Sequence, residues 1–362
     1  MQLSDFDFHL PEERIAQTPA VPRDSARLLV YYRASKKLEH HHVHNLPELL
    51  PPATLVVANS SGVRRSRLYA KSAQGRPVEV LVLEPLTADT YRCILGGTRG
   101  IQANNVFTFY SDSARHISIP LTATVVVPET HPAMTTYQVR FSENGEALRT
   151  LFTTYASVPL PPYIDPGAST PAQYQTVYAR DEASSAAPTA GLHFTQELLE
   201  RLGEAGIRWT DVTLHVGLGT FLPLRAPSVE DNTLHAERTF VSPETAAMVT
   251  EAKQNKQMVL AVGTTSCRTL EAHWSGDHLQ SGEQQTNLFI YPGYRFQVVD
   301  ALLTNFHLPQ SSLLLLVSAF LGQPPDQVSP DEATTLLQKI YRTAIDEHYR
   351  FYSFGDAMLV LP

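Results

Sequence analysis

Residues 258–272 read MVLAVGTTSCRTLEA and contain the junction that decides the fold class. The first six residues form a continuous apolar run, which is typical of a strand buried on both faces of a parallel sheet. Gly263 follows, and three hydroxyl residues then open a segment with helical spacing. A buried strand that turns through glycine directly into a helix predicts an α/β domain, in which helices cover the sheet.

The sequence around this junction continues the alternation of strands and helices. VVDALLTNF at 298–306 predicts a second buried strand, and SSLLLLVSAFLG at 311–322 is apolar on all sides, as expected of a core helix. TQELLERLGEAG at 195–206 predicts a helix between a threonine N-cap and a glycine stop. The closing stretch YRFYSFGDAMLVLP predicts a final pair of strands.

Between about 63 and 155 the pattern is different. RLYAK, VEVLVLE, YRCILG, NVFTFY, ATVVVPE and TYQVRFS are short, β-branched or aromatic segments separated by turn-rich stretches. This spacing predicts a small antiparallel barrel or sandwich. We therefore expect an α/β domain with a mixed or parallel sheet, formed by 1–62 plus 156–362, and interrupted by an inserted antiparallel β-barrel domain at 63–155.

Composition excludes several classes of protein. The 362 residues are 43% hydrophobic and 18% charged, an ordinary globular composition, and the net charge of −8 argues against a general nucleic-acid binder. The N-terminus lacks the pattern of a secretory signal, and the longest apolar stretch is about half of the ~20 residues that span a bilayer. Two cysteines are too few for a disulfide framework. We expect a soluble cytoplasmic protein without a membrane segment.

One local basic segment stands out against the acidic composition. RRSRLYAK at 64–71 sets Arg65, Arg67 and Lys71 on one side of an alternating stretch, with Leu68 and Ala70 on the other. A solvated edge strand protected by charge and an RNA-facing surface both fit this pattern.

Four junctions in the α/β part place reactive side chains where a strand ends or a helix begins, which is where open α/β sheets bind ligands. They are AAPTAGLHF at 186–194, DVTLHVGLGTF at 211–221, AVGTTSCRTLEA at 261–272 and TNFHLPQSS at 304–312. The third lacks the lysine of a phosphate loop, and its three hydroxyls favour a carboxylate or sugar ligand. Structural alternatives stay open for the others: a hydrogen-bonded histidine, a tight turn and a buried network.

EHHHVH at 39–44 is the one histidine-rich segment, and it raises the question of a metal. It lies in a polar stretch with no second cluster at ligand spacing, so an exposed loop is the better interpretation. We predict no metal site.

The motifs taken together resemble one known family. AAPTAGLHF, TLHVGLGTF, VGTTSCRTLE, FIYPGYRF, TNFHLPQSSL and SFGDAML, in this order, resemble the S-adenosylmethionine:tRNA ribosyltransferase-isomerases of queuosine biosynthesis. LPPYI, YQTVY and the opening DFDFHLPEERIAQTP extend the resemblance over nearly the whole chain.

The resemblance implies a reaction and its partners. Such enzymes transfer and isomerise the ribosyl moiety of S-adenosylmethionine onto the 7-aminomethyl-7-deazaguanine base in the wobble position of the tRNA anticodon arm. Adenine and methionine leave, and the product is epoxyqueuosine-tRNA. The sulfonium compound is a substrate, so no cofactor and no metal are expected, and the enzyme is expected to act as a monomer.

The junctions and the resemblance together give the candidate site. The catalytic candidates are His193, His215, Thr220 and Glu237. The substrate-binding candidates are Asn59, Pro188, Thr189, Gly191, Phe194, Gly217, Gly219, His235, Thr264, Thr265, Ser266, Arg268, Glu271, Asn305, His307 and Asp356. The RNA-binding candidates are Arg64, Arg65, Arg67 and Lys71. The two catalytic histidines are expected to transfer protons, although which residue acts on which proton stays open.

Two departures from the family pattern leave the acceptor open. Asn59-Ser-Ser-Gly62-Val lacks an arginine expected at position 62, and Asn232-Thr-Leu-His235-Ala-Glu237 lacks its first histidine. The alternatives are an S-adenosylmethionine-using paralogue with a different acceptor, and a non-catalytic RNA- or nucleoside-binding protein on the same scaffold.

Overall fold

The computed structural model describes residues 1–97, 100–130, 135–161, 163–165, 167–217, 224–323 and 328–362. The chain divides into two compact units, Met1–Gly62 with Pro162–Pro362, and Val63–Pro161. The second unit runs to Pro161 rather than to the expected 155, because Ser157 pairs with Arg67 of the barrel.

The described helices and strands alternate in the first unit and form a run of strands in the second. The α-helices are α1 (Leu46–Leu49), α2 (Gly145–Tyr155), α3 (Gln196–Glu204), α4 (Pro243–Gln254), α5 (Gly263–His273), α6 (Ser312–Leu321) and α7 (Pro330–Asp346). The strands up to the end of the barrel are β1 (Arg27–Tyr32), β2 (Lys37–His42), β3 (Leu55–Asn59), β4 (Gly62–Val63), β5 (Arg67–Ser72), β6 (Pro77–Pro85), β7 (Thr90–Gly96), β8 (Val106–Tyr110), β9 (Ser118–Thr130) and β10 (Thr135–Phe141). The later strands are β11 (Glu182–Ser184), β12 (Arg208–Leu214), β13 (Glu237–Val241), β14 (Val259–Val262), β15 (Trp274–Ser275), β16 (His278–Leu279), β17 (Gly282–Thr286), β18 (Ala301–Asn305) and β19 (Ala357–Leu361).

A nine-stranded mixed sheet organises the first unit, in the order β17-β13-β12-β3-β14-β18-β19-β1-β2. Its centre is parallel, because β12 and β14 both run parallel to β3, and β18 runs parallel to β14. β13 and β19 flank these four strands in the antiparallel direction, and β1 runs parallel to β19. The carboxyl ends of the four central strands therefore lie at one edge of the sheet.

Both faces are buried at the centre of this sheet, as the continuous apolar runs predict. Leu55 and Val57 of β3 pack into the core that also contains α4, α5, α6 and α7. Val56 and Ala58 point the other way, into the core with α3. The α/β prediction is confirmed.

The second unit is a closed barrel of six antiparallel strands, β10-β7-β6-β5-β8-β9. Its strands are the six segments predicted from the sequence, and Leu68 and Ala70 point into the barrel core. β5 pairs with β6 on one side and β8 on the other, so it is not an edge strand. The interpretation of 64–71 as a charged edge strand is therefore wrong, since a closed barrel has no edges.

The predictions that concern single helices were confirmed. The Thr195 hydroxyl accepts a hydrogen bond from the Leu198 amide at the start of α3, and Gly206 follows its end with φ +75°. α6 lies almost entirely in the core. No helix among the described residues combines the length and the apolar composition that crossing a bilayer requires.

Two predictions were wrong. The closing stretch forms the single strand β19 and not a pair, because residues 350–356 fold back on themselves: the Asp356 amide donates to the Arg350 carbonyl oxygen. The histidine run is not an exposed loop either, since its residues through His42 belong to β2, which pairs with β1.

Candidate active site

The polar junctions meet at the carboxyl edge of the parallel strands. Asn59 ends β3, His215 follows β12, Gly263 follows β14 and Asn305 ends β18. Neighbouring strands lie about 4.8 Å apart, so these four strand ends fall within about 15 Å. Chain order also reverses here, because β12 lies on one side of β3 and β14 on the other. Such a switch point is the usual ligand-binding crevice of an open α/β sheet.

The Asn59 side chain fastens two of these strand ends together. Its Nδ2 donates to the Leu214 carbonyl oxygen at 3.0 Å, and its Oδ1 accepts from the amides of Leu214 at 3.1 Å and Ser61 at 3.0 Å. The buried amide group therefore makes three hydrogen bonds to the backbone, and it positions the residues on either side of it.

His215 is one of the residues so positioned. Its Nδ1 lies 3.1 Å from the Ser61 hydroxyl oxygen, and its backbone amide donates to the Arg238 carbonyl oxygen. Partial burial, assisted by the Arg238 charge, lowers the pKa of His215. The imidazole is therefore neutral near pH 7, and Nε2 is the ring nitrogen that remains to exchange a proton.

A buried ion pair lies beside this histidine. Arg268 Nη1 is 2.5 Å from Glu237 Oε2, and both side chains are at least 94% buried. Glu237 Oε1 accepts from the Gly217 amide at 3.3 Å, and Arg268 Nε donates to the Leu288 carbonyl oxygen at 3.1 Å. Among the described residues, Arg268 Nη2 has no hydrogen-bond partner although it is shielded from solvent. An unpaired buried cationic N–H is costly, and it favours an anionic ligand.

The turn at 188–194 forms a second polar cluster, joined to β18. The Thr189 hydroxyl donates to Asn305 Oδ1 at 2.9 Å, and Asn305 Nδ2 donates to the Tyr352 carbonyl oxygen at 3.1 Å. Asn305 Nδ2 also lies 3.3 Å from His193 Nε2, which assigns the ring proton to Nδ1. Burial lowers the pKa of His193 to about 4. The charge of Asp356 raises this pKa, and the charge of Arg350 lowers it.

Position 191 requires glycine because neighbouring side chains lie where a Cβ would be. A Cβ at this position would overlap the Tyr178 hydroxyl oxygen and lie 2.9 Å from Thr176 Cγ2. The turn also packs against α5, where a Cβ on Gly263 would be 3.4 Å from the Ala190 Cβ. The Pro-Thr-Ala-Gly-Leu-His run therefore brings backbone close to the start of α5, and helix capping is left to Thr195.

The remaining residues of this turn are structural. The Pro188 carbonyl oxygen accepts from the Gly191 amide at 2.8 Å, which closes the turn. Phe194 is fully buried, and its ring centroid lies 5.3 Å from that of Trp209. Neither side chain has a polar group to offer a ligand.

The three hydroxyls at the start of α5 have different environments. The Ser266 hydroxyl donates to the Val262 carbonyl oxygen at 2.7 Å inside the core, so its assignment as a ligand-binding group stays a prediction without support from its contacts. Thr264 is buried and Thr265 is half-buried, and Thr264 lies one turn before Arg268 on the same side of the helix. Thr264 and Thr265 remain the hydroxyls that a ligand can use.

Three further candidates have their polar groups occupied by the protein. The Glu271 carboxylate accepts from the amides of Gln297, Val298 and Val299 and from the Tyr294 hydroxyl. The Asp356 carboxylate accepts from the amides of Arg27 and Arg350, and His307 Nε2 lies 2.8 Å from the Thr304 hydroxyl oxygen. Burial raises the pKa of Glu271 and lowers that of His307 to about 3. All three therefore have hydrogen-bond partners within the protein, and their assignment to ligand binding stays a prediction.

The positions of the other predicted residues give less information about their roles. His235 is exposed two residues before β13, while Gly219 and Thr220 lie outside the described residues. Asn232, where the family pattern has histidine, accepts from the amides of Arg225 and Ala226. A Cβ on Gly62 would lie 3.2 Å from Glu182 Cγ, so the missing arginine side chain has little room at this position.

The basic segment of the barrel is only partly available to RNA. Arg64 donates to the carbonyl oxygens of Val82 and Leu83, and burial lowers its pKa, so its role in RNA binding stays a prediction. Arg65 is exposed, and Arg67 and Lys71 lie on the outside of β5.

The sequence did not identify Ser61 and Tyr178 as parts of the site. Ser61 lies two residues after Asn59, and an alternating pattern continued past the strand end would have placed both on one face. The Tyr178 contact with Gly191 joins distant segments, so no local signal revealed it. Among the described residues, no group of three or more ligating side chains could hold a metal ion. The absence of a metal stays a prediction.

Comparison with known proteins identifies one family. The family model described as queuosine biosynthesis protein matches residues 3–360. The chain is 41% identical to the S-adenosylmethionine:tRNA ribosyltransferase-isomerase of Moorella thermoacetica and 43% identical to that of Symbiobacterium thermophilum, with 100% of both chains covered each time. It is also similar to the crystal structure of S-adenosylmethionine tRNA ribosyltransferase from Thermotoga maritima. That similarity has 32% identity and a TM-score of 0.53, and covers 99% of this chain and 100% of the other.

Replacing Gly191 by Ala tests whether the packing against Tyr178 leaves room for a Cβ. The new Cβ meets the Tyr178 hydroxyl, so we expect the free energy of unfolding to fall by about 2 kcal/mol. Tyr178→Phe removes a buried hydroxyl that has no partner among the described residues, so it should cost little alone and restore part of the loss in the double variant. Chemical denaturation measures all three variants.

Gly203→Ala is the matched control, because no atom lies within 4 Å of a Cβ at this position of α3. It should stabilise the protein by about 0.5–1 kcal/mol. Equal stability of Gly191→Ala and the wild type would contradict the packing argument.

The low pKa of His193 predicts a pH dependence of stability. Below the ordinary histidine pKa of about 6.5 the unfolded chain takes up a proton that the folded state refuses until about pH 4. The contribution of neutral His193 to the free energy of unfolding is therefore complete above pH 6.5. It is lost as the pH falls toward 4, at up to about 1.4 kcal/mol per pH unit. His193→Gln can still accept from Asn305, and denaturation at several pH values should show a shallower decline than in the wild type. Equal slopes would exclude His193 as the source.

Proposed function

The chain belongs to the S-adenosylmethionine:tRNA ribosyltransferase-isomerase family of queuosine biosynthesis proteins, and we propose that it carries out this reaction on tRNA. The ribosyl moiety of S-adenosylmethionine moves to the 7-aminomethyl-7-deazaguanine base at the wobble position and is isomerised. Adenine and methionine leave, and epoxyqueuosine-tRNA is formed. We propose that the enzyme acts in the cytoplasm as a monomer, with S-adenosylmethionine as a substrate and without metal or cofactor.

The chemistry requires three proton movements. A base must take a proton from the carbon beside the sulfonium, a donor must protonate the departing adenine, and the attacking amine must be neutral. A neutral imidazole that is held by one nitrogen can accept a proton at the other, and the imidazolium so formed can then donate that proton to the departing adenine. The position of His215 at the switch point, with Nδ1 on Ser61 and a lowered pKa, is the observation that carries the proposal.

Arg268 supports the proposal as a group that can bind the substrate. Its Nη2 is buried without a partner among the described residues, at the side of α5 that also carries Thr264. The methionine carboxylate of the substrate matches a guanidinium N–H, a threonine hydroxyl and the positive end of a helix. Glu237 holds the guanidinium in place through Nη1, so we assign Glu237 as a positioning residue rather than a proton-transfer group.

His193 has a different role in this proposal. Its Nε2 is occupied by Asn305, and its pKa of about 4 keeps it neutral at physiological pH. A neutral imidazole with the proton on Nδ1 can donate a hydrogen bond to adenine or ribose, but it is a weak base. His193 is therefore a substrate-orienting group, and His215 is the proton-transfer residue.

Replacing His215 by Asn tests the proposal directly. The variant keeps a polar side chain beside Ser61 but lacks an ionisable nitrogen, so adenine release should fall by at least about 100-fold. Adenine is measured by chromatography after incubation with S-adenosylmethionine and tRNA that carries the aminomethyl base. The exposed His116 of the barrel provides the matched control, and His116→Asn should leave the rate unchanged.

The same assay separates the alternatives. Release of adenine that depends on this tRNA supports the proposed acceptor, and release with another acceptor supports a paralogue. Binding without release supports a non-catalytic protein. Near-normal turnover of His215→Asn, with an unchanged melting temperature, would remove His215 from catalysis.

The outer surface of the barrel provides a second test, because β5 combines cations with aromatic rings. The Lys71 ammonium lies 4.7 Å from the Tyr110 ring centroid, and the Arg115 guanidinium lies 5.4 Å from that of Tyr69. Basic groups and aromatic rings are the usual features of single-stranded RNA recognition. We propose that this surface contacts the anticodon arm.

Reversing the charge at Arg65 and Arg67 should weaken tRNA binding and reduce its salt dependence. Each lost phosphate contact lowers the slope of log K against log salt by about 0.7–0.9. Arg67 also donates to the Leu160 carbonyl oxygen, so Arg65→Glu is measured alone as well. Arg149→Glu, on the exposed side of α2, is the control of equal charge. An unchanged slope in Arg65→Glu, Arg67→Glu and their combination would place the RNA surface elsewhere.

A further inference from the structure

A second cavity lies at the opposite edge of the nine-stranded sheet from the candidate active site. It has a volume of about 280 Å³, just below the 300–1,000 Å³ typical of ligand pockets. Arg33, which follows β1, lines it, and its guanidinium donates to the carbonyl oxygen of Asp300 immediately before β18. Because β18 ends at the candidate active site and the cavity lies beside its beginning, the two sites are separated by the length of the strand.

The cavity combines apolar walls with a buried positive charge. Leu38, Leu321, Leu336 and Ile340 form the apolar part of the lining. Arg33 is only 7% exposed, and its Nε has no partner among the described residues. The carbonyl oxygens of Phe320 and Asp300 accept from its other nitrogens, and the Asp300 carboxylate, which is paired with Lys253, acts on its charge without a hydrogen bond. Burial accordingly lowers the pKa of Arg33 to about 10.

The remaining charges around the cavity keep it positive. Lys36 and Lys339 lie at its rim with Glu332, whose carboxylate accepts from the amide and hydroxyl of Ser329 at the start of α7. Three cations therefore face one carboxylate, in a chain whose net charge is −8. Tyr31 is a further residue of the lining. A positive cavity with apolar walls in an acidic protein favours an anion with an apolar body.

We propose that this cavity binds a small carboxylate with an aliphatic tail, with the carboxylate toward Arg33 and Lys339 and the tail between the leucines. The apolar walls disfavour inorganic phosphate. A guanidinium that is already desolvated costs less to pair with an anion than an exposed one does, because its hydration is already lost. The site is separate from the binding of S-adenosylmethionine and does not depend on the proposed reaction.

Hexanoate is the probe, and 1-hexanol is its neutral counterpart. We expect hexanoate to bind the full-length protein with a low-millimolar dissociation constant by calorimetry and to raise the melting temperature, while hexanol at the same concentration does neither. Lys339→Gln should weaken hexanoate binding about threefold, as loss of one rim charge implies. Leu336→Trp fills the cavity and should abolish binding.

Two controls show where the probe binds. Lys256→Gln removes an exposed charge that does not line the cavity, and Arg268→Gln alters the candidate active site, so neither should change hexanoate binding. Saturating S-adenosylmethionine should not displace the probe. Equal binding of hexanol, full affinity in folded Leu336→Trp, displacement by S-adenosylmethionine, or no saturable binding of hexanoate would each overturn the proposal.

Discussion

The side-chain amide of Asn59 is the interaction on which the candidate active site depends. It spans the ends of two parallel strands and makes three hydrogen bonds to backbone groups of Leu214 and Ser61. Parallel strands otherwise diverge where their ladder ends, so a buried amide at this point fixes the direction in which the following residues leave the sheet. Ser61 and His215 meet because of this contact, and the chemistry proposed for the imidazole follows from their meeting.

The buried polar residues of the first unit divide into two groups by how their hydrogen bonds are used. Glu271, Asp356 and Ser266 have partners within the protein, and these bonds hold the loops around the sheet. Arg268 differs, because one guanidinium nitrogen is left without a partner among the described residues. Since an unsatisfied buried donor lowers stability, its persistence is most simply explained by a ligand that completes it. The same reasoning separates Arg33, which is also buried, from the cations of the surface.

A parallel sheet gives the first unit two chemically different edges. The carboxyl edge collects loops that begin at strand ends and lead into helix starts, which supply N–H groups and positive helix ends. At the opposite edge, Arg33 follows a strand of the reverse direction and the last turn of α6 ends beside it. The antiparallel barrel has neither kind of edge. Its outward-facing cations and tyrosines can therefore contact a partner only on the outer surface of the barrel.

The sequence by itself determined the fold class, the six barrel strands and the central helices, because each follows from a local pattern of burial. It also identified the junctions that lie at the carboxyl edge, since turns after buried strands carry their own signal. Only the tertiary structure decided which polar residues are free to bind. Glu271 and Ser266 look like ligands in the sequence and are occupied in the fold, whereas Ser61 becomes important through a histidine more than 150 residues away. The physical reason is that a hydrogen bond depends on the partner within reach, and long-range packing sets that partner.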